Sequence, residues 1–224
     1  MGYDRRRGFG EYSESRKDRP LTLAYRFTTI FFFILLKTFF RLKVINVEKV
    51  PEKGGVIVVS NHVSHLDPLV IGVAVRKRQS SFMAKSGLFK IPLIGAFVKT
   101  FSFPVDRDNP QPSTIKEAVK RLKKGEIVVM FPEGGRSRDG SLLDAKRGTV
   151  MIAALSKAVV VPAFIEGTDK ALPAGAKRIR LSNIKVYFGD PIKIKEAGTG
   201  KDFQEKIGSD IMDAIKSLKL RVKS

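Results

Sequence analysis

Residues 56–68 read VIVVSNHVSHLDP, and residues 126–137 read EIVVMFPEGGRS. Each carries a short apolar, largely β-branched run of the kind that suits a strand buried on both faces. Each then turns abruptly polar: Asn61, His62 and Asp67 follow the first run, and Glu133, Gly134, Gly135, Arg136 and Ser137 follow the second. In open α/β sheets, ligands collect just outside the carboxyl ends of the strands, where these residues would sit. Pro68, directly after Asp67, suits the first turn of a helix. The first stretch therefore predicts strand, loop and helix in succession.

Outward from these two stretches the same alternation continues. Strands are expected at Val44–Val47, Phe82–Ala84, Phe101–Val105, Val159–Ile165 and Ile184–Phe188. Helices are expected at Leu69–Val75, at Thr114–Lys124 with Ile115, Ala118, Val119 and Leu122 on one face, and at Gly148–Lys157. A closing helix over Asp202–Leu218 carries Phe203, Ile207, Ile211, Ile215 and Leu218 at helical spacing. The pattern predicts an α/β fold, a single domain with a mostly parallel sheet flanked by helices, over residues 44–224. No internal repeat or low-complexity linker interrupts it.

Composition narrows the chemistry. The 224 residues contain no cysteine, which excludes disulfides, thiolate metal sites and cysteine nucleophiles. Two histidines exclude a multi-histidine metal cage. Lys and Arg number 42 against 22 acids, a formal charge of +20, so the expected company is polyanionic: anionic lipid, phosphorylated substrates, acidic protein or nucleic acid.

Residues 1–20 are polar and free of aliphatic side chains and read as a loosely packed tail. Arg6 stands where a myristoylation signal needs Ser or Thr. No cleavage pattern for a signal peptide follows the first apolar run. That run, LTLAYRFTTIFFFILLKTFFRL over residues 21–42, holds six of the sixteen phenylalanines, and no acid occurs between Asp18 and Glu48. Ten uncharged residues separate Arg26 from Lys37, about 15 Å of helix against a bilayer core of about 30 Å. Residues 21–43 are therefore expected as an apolar membrane-associating helical segment, a monotopic anchor whose basic side chains reach the headgroups. A tilted span and an ordinary buried helix are the two alternatives.

Within the loops, His62 can serve as a general base near neutral pH, with Asp67 fixing its tautomer. An Asp before Pro fits a helix N-cap equally well. His65 is expected as a surface or a supporting residue, and the spacing of His62, His65 and Asp67 does not suit a metal site. Gly134 and Gly135 allow backbone amides to approach an anion, and Arg136 offers a bidentate fork for phosphate. The spacing is not that of a P-loop, and Ser137 lacks a nucleophile-elbow pattern. Phe103-Pro-Val-Asp-Arg107 puts one more arginine after a strand.

These pieces, in this order, resemble the glycerolipid acyltransferase family, specifically the 1-acyl-sn-glycerol-3-phosphate (lysophosphatidate) acyltransferases. Asn61, His62 and Asp67 match the family's N-H-x4-D block; Phe101 to Arg107 match a second block ending in arginine. Phe131, Pro132, Glu133, Gly134, Arg136 and Ser137 match F-P-E-G-[ST]-R-S, with Gly135 where the family has Thr or Ser. Val159–Ile165 resembles a fourth, apolar block with a proline, and Ala84–Gly95 looks like a further shared region. The resemblance covers residues 55 to 167.

It implies a reaction in which His62, oriented by Asp67, deprotonates the sn-2 hydroxyl of lysophosphatidate, which attacks the thioester of acyl-ACP or acyl-CoA to give phosphatidate. Arg107 and Arg136, with Lys85, would hold the phosphate; Glu133 would position the glycerol hydroxyl or brace an arginine; amides near Gly134 and Gly135 would receive the oxyanion. No metal or other cofactor is implied beyond the acyl donor. The implied location is the cytoplasmic face of the inner membrane in a bacterium, on anionic phospholipid. Ile91–Val98 would suit an acyl-chain channel or ordinary core. The rivals are glycerol-3-phosphate or another lysophospholipid as acceptor, and more distantly a non-catalytic basic protein binding membrane or nucleic acid. No specific nucleic acid is expected, because the aromatics are not interleaved with basic residues for base stacking.

Overall fold

A computed structural model of the chain describes residues 21–90, 98, 101–105, 111–137, 139–176, 178–194 and 200–223. The apolar runs form one seven-stranded sheet. Its strands are β1 (Lys43–Ile45), β2 (Val56–Ser60), β3 (Ser80–Lys85), β4 (Ser102–Val105), β5 (Ile127–Met130), β6 (Val159–Glu166) and β7 (Lys185–Phe188). The spatial order is β1-β7-β6-β2-β5-β3-β4. The five strands from β6 to β4 run parallel, with Val56 registered on both Ile127 and Val159. β7 is antiparallel to β6, and β1 lies parallel to β7. β1 is shorter than the expected Val44–Val47 because Asn46 takes a left-handed φ of 59° and Val47–Lys49 close a 3₁₀ turn.

The period-2 alternation of the central strands builds two cores. Val56, Val58, Ile127, Val129, Val161 and Ile165 face α1 (Leu23–Phe39) and α2 (Asp67–Ala74). Ile57, Val59, Val128, Met130 and Val160 face α3 (Pro112–Lys123), α4 (Arg147–Ser156) and α6 (Lys201–Lys223). A short helix, α5 (Thr168–Ala171), follows β6.

α1 begins at Thr22, whose Oγ1 accepts a hydrogen bond from the Tyr25 N–H at 3.2 Å. Its inner face is pinned by a buried tyrosine. The Tyr25 hydroxyl donates to the Arg78 carbonyl at 2.9 Å, lies 2.9 Å from Ser80 Oγ and accepts from the Ser80 N–H at 3.2 Å. Burial raises the Tyr25 pKa, against the two Ser80 hydrogen bonds, which lower it. Leu36 and Phe40 pack into the core beside it, and the Arg76 guanidinium lies 3.7 Å over the Phe33 ring. The outer face is apolar as well: Leu23, Phe27, Ile30, Phe31 and Ile34 are 48–73% exposed. Among the described residues no helix is long and apolar enough to cross a membrane. The aromatics that surround this helix thus divide into a docked half and an outward half. The polar tail over 1–20 lies outside the described residues.

Candidate active site

Two loops, one leaving β2 and one leaving β5, meet at the carboxyl end of the parallel strands. In the first, His62 Nδ1 lies 2.8 Å from Asp67 Oδ2, both side chains being buried. The same carboxylate oxygen accepts the backbone N–H groups of Val63 and Ser64, each at 2.7 Å. Asp67 is the first residue of α2 and does not cap it; the preceding Leu66 holds the cap position without a side-chain bond. The carboxylate instead folds the His62–Ser64 turn back over itself. With Nδ1–H donated to Asp67, Nε2 is the ring nitrogen left for a substrate. The other face of the ring problem is solved by Phe131, which stacks on the imidazole at 4.0 Å and 19°.

The peptide groups of His62 are tied to the second loop on both sides. Its N–H donates to Glu133 Oε1 at 3.1 Å, and its carbonyl accepts the Ser137 N–H at 2.8 Å. Glu133 Oε2 accepts the Leu143 N–H at 3.3 Å. Each oxygen of Glu133, expected on the glycerol hydroxyl or on an arginine, thus also accepts one main-chain amide. Burial lifts the Glu133 carboxyl above the ordinary glutamate value, against the two amides, which lower it. Asn61, the first residue of the N-H-x4-D block, has a structural task. Its side-chain amide bonds the Ile165 N–H at 2.8 Å and the Ile165 carbonyl at 3.0 Å, continuing the β2–β6 ladder past the end of the strand.

Gly134 has φ +70°, and its N–H donates to the Phe131 carbonyl at 3.0 Å, so that amide is spent on the turn. A Cβ there would also meet the Lys146 side chain at 3.0 Å. Gly135 differs: a Cβ on it would meet nothing within 4 Å, so the Thr or Ser of the family would fit. The amides of Gly135 and Arg136 make no hydrogen bond among the described residues.

His62, His65, Arg136 and Lys85 line one cavity of about 410 Å³. It continues under α1 between apolar walls that include Phe32, Leu69, Phe82 and Phe101, and reaches Tyr25 and Ser80. The Arg136 guanidinium contacts the His65 ring. His65 is exposed, as expected, and stands at the cavity mouth beside Arg136; its pKa is lowered by burial first and by the Arg136 charge second. Arg107 lies outside the described residues, as does most of Ile91–Val98, of which Val98 lines the cavity. No group of three or more metal-ligating side chains occurs among the described residues.

Residues 41–166 match the acyltransferase family. A 1-acyl-sn-glycerol-3-phosphate acyltransferase of Bacillus subtilis (strain 168) is 39% identical over 152 residues, 67% of this chain and 73% of that protein. A chloroplastic 1-acyl-sn-glycerol-3-phosphate acyltransferase of Arabidopsis thaliana is 34% identical over 164 residues, which span 71% of this chain and 46% of the plant protein. Among solved structures, the 1-acyl-sn-glycerophosphate (LPA) acyltransferase PlsC from Thermotoga maritima superposes with a TM-score of 0.70 at 25% identity. The likeness covers 88% of this chain and 78% of that one.

Proposed function

The chain belongs to the acyltransferase family, and from that membership we propose that it transfers an acyl chain from a thioester donor, acyl-ACP or acyl-CoA, to the sn-2 hydroxyl of 1-acyl-glycerol-3-phosphate, forming phosphatidate. The observation that carries the reading is the buried His62–Asp67 pair opening onto an apolar cavity that also holds Arg136 and Lys85. His62 Nε2 takes the hydroxyl proton while Asp67 Oδ2 holds the ring by Nδ1 and offsets the imidazolium charge. The freed oxygen attacks the thioester carbonyl. The tetrahedral oxyanion collapses, breaking the C–S bond, and the imidazolium returns its proton to the leaving thiolate. The amides of Gly135 and Arg136, without a partner among the described residues, are the donors this turn offers the oxyanion. Arg136 and Lys85, with Arg107, hold the phosphate, and the cavity beneath α1 takes an acyl chain. The outward apolar face of α1, bordered by Arg26 and Lys37, supports a monotopic seat on an anionic membrane.

The test is acyl transfer to lysophosphatidate in detergent micelles, wild type against His62→Ala, with glycerol-3-phosphate as the competing acceptor. Phosphatidate formed by wild type, and cut at least about a hundredfold by the substitution, is the expected result. Equal turnover by a folded His62→Ala would remove His62 from the chemistry. Preference for glycerol-3-phosphate would replace the acceptor.

A further inference from the structure

Among the described residues outside α1, few large apolar side chains stand as far into solvent as Ile179 and Leu181, at 60% and 73% exposed. They alternate with two exposed arginines in Arg178-Ile-Arg-Leu181. Neither Arg178 nor Arg180 has an ion-pair partner among the described residues. No acid occurs between Asp169 and Asp190, as none occurs between Asp18 and Glu48 around α1. The loop is tied into the site on one side. The Arg180 N–H donates to the Ala171 carbonyl at 2.8 Å, Ser64 Oγ donates to the Leu172 carbonyl at 2.6 Å, and Ser64 forms a bridge with Pro173. On the other side it joins the end of α1, where the Ile184 N–H donates to the Phe40 carbonyl at 2.9 Å beside the exposed Phe39. From Leu181 to Ile184 is three residues, about 10 Å of extended chain at most.

We propose that the loop over 178–181 is a second membrane contact, seated on anionic phospholipid and continuous with the outward face of α1. The proposal rests on the reading of α1 as a membrane anchor. A single helix lying in the interface leaves the body free to roll about that helix. A second contact beside Ser64 fixes the roll, and with it the orientation in which His62 and Arg136 meet the bilayer. Apolar side chains flanked by exposed arginines suit that partner, since the former enter the acyl boundary while the latter reach phosphate.

The chain has no cysteine, so Leu181→Cys, Phe31→Cys and Lys120→Cys each give one attachment point for an environment-sensitive fluorophore. Vesicles of phosphatidylcholine with phosphatidylglycerol should blue-shift the label at positions 181 and 31 and leave position 120, on the opposite layer, unchanged. A shift at 31 alone overturns the loop contact and leaves the anchor standing. No shift at either position overturns both. A shift at 181 that depends on protein concentration without lipid assigns the loop to a second copy of the chain and overturns the proposal. The double variant Arg178→Gln, Arg180→Gln should bind the anionic vesicles about thirtyfold more weakly, the equivalent of about 1 kcal/mol for each arginine near the surface, with acyl transfer in micelles unchanged. Undiminished affinity would overturn the role of the arginines.

Discussion

Glu133 ties together two chain segments through one carboxylate. Its two oxygens accept the His62 and Leu143 amides, so it fixes the His62 backbone from behind. Glutamine in its place offers one acceptor for two amide donors, and leaving the buried His62 N–H without one costs about 1–3 kcal/mol. The charge adds a pH signature. Because burial raises the folded carboxyl above its unfolded value, the folded state binds the proton more tightly between those two values. Stability contributed by the protonated form is full at low pH and is lost as pH rises through that window. Thermal unfolding of wild type and Glu133→Gln across this range should therefore show the wild type losing ground as pH rises, and a constant difference thereafter. A difference that never varies with pH would mean that the carboxylate keeps its water. Gly134 and Gly135, adjacent in sequence, divide differently: the first is required by its positive φ, and the second is replaceable.

At the scale of elements, α1 depends on one polar anchor in an otherwise apolar seat. Tyr25→Phe removes the acceptor of the buried Ser80 N–H and should cost about 1–3 kcal/mol. Because the seat is local, the loss should appear in hydrogen exchange as deprotection of α1 while β2, β5 and β6 stay protected. Equal deprotection everywhere would mean that α1 opens only with the whole fold. The sequence made most of this architecture legible. β2, β5 and β6 lie where their β-branched runs begin and end, because buried parallel strands leave no polar residue to blur them. The reversed pair β1 and β7 was not legible, since nothing local to Val44 or Val186 specifies which edge they join. Nor was the two-sided character of α1: phenylalanines packed on a core and phenylalanines facing outward are the same letters. The His62–Asp67 pair could be found by its spacing and by the resemblance. The Glu133 contacts could not, because a backbone amide leaves no mark in a sequence.

For the molecule as a whole, a +20 charge and an apolar helix face are separable forces. Raising ionic strength from 0.1 M to 1 M shortens the screening length from about 10 Å to about 3 Å. Co-sedimentation with phosphatidylglycerol vesicles should therefore weaken strongly with salt. The weaker association with pure phosphatidylcholine, carried by Phe27, Phe31 and Ile34, should persist. Complete release from both at high salt would assign the attachment to charge alone. The splice between the two loops has a further consequence, which concerns how the molecule is made. His62 is held through both its peptide groups by residues of the loop that begins 71 positions downstream at Glu133. Synthesis runs from the amino end, so α1 and the His62–Asp67 turn are made well before Glu133 and Ser137, which hold the His62 peptide groups. A growing chain thus completes the His62–Asp67 turn in sequence well before it can lock that turn in place, which waits until β5 has threaded in beside β2 and carried the Glu133 loop with it.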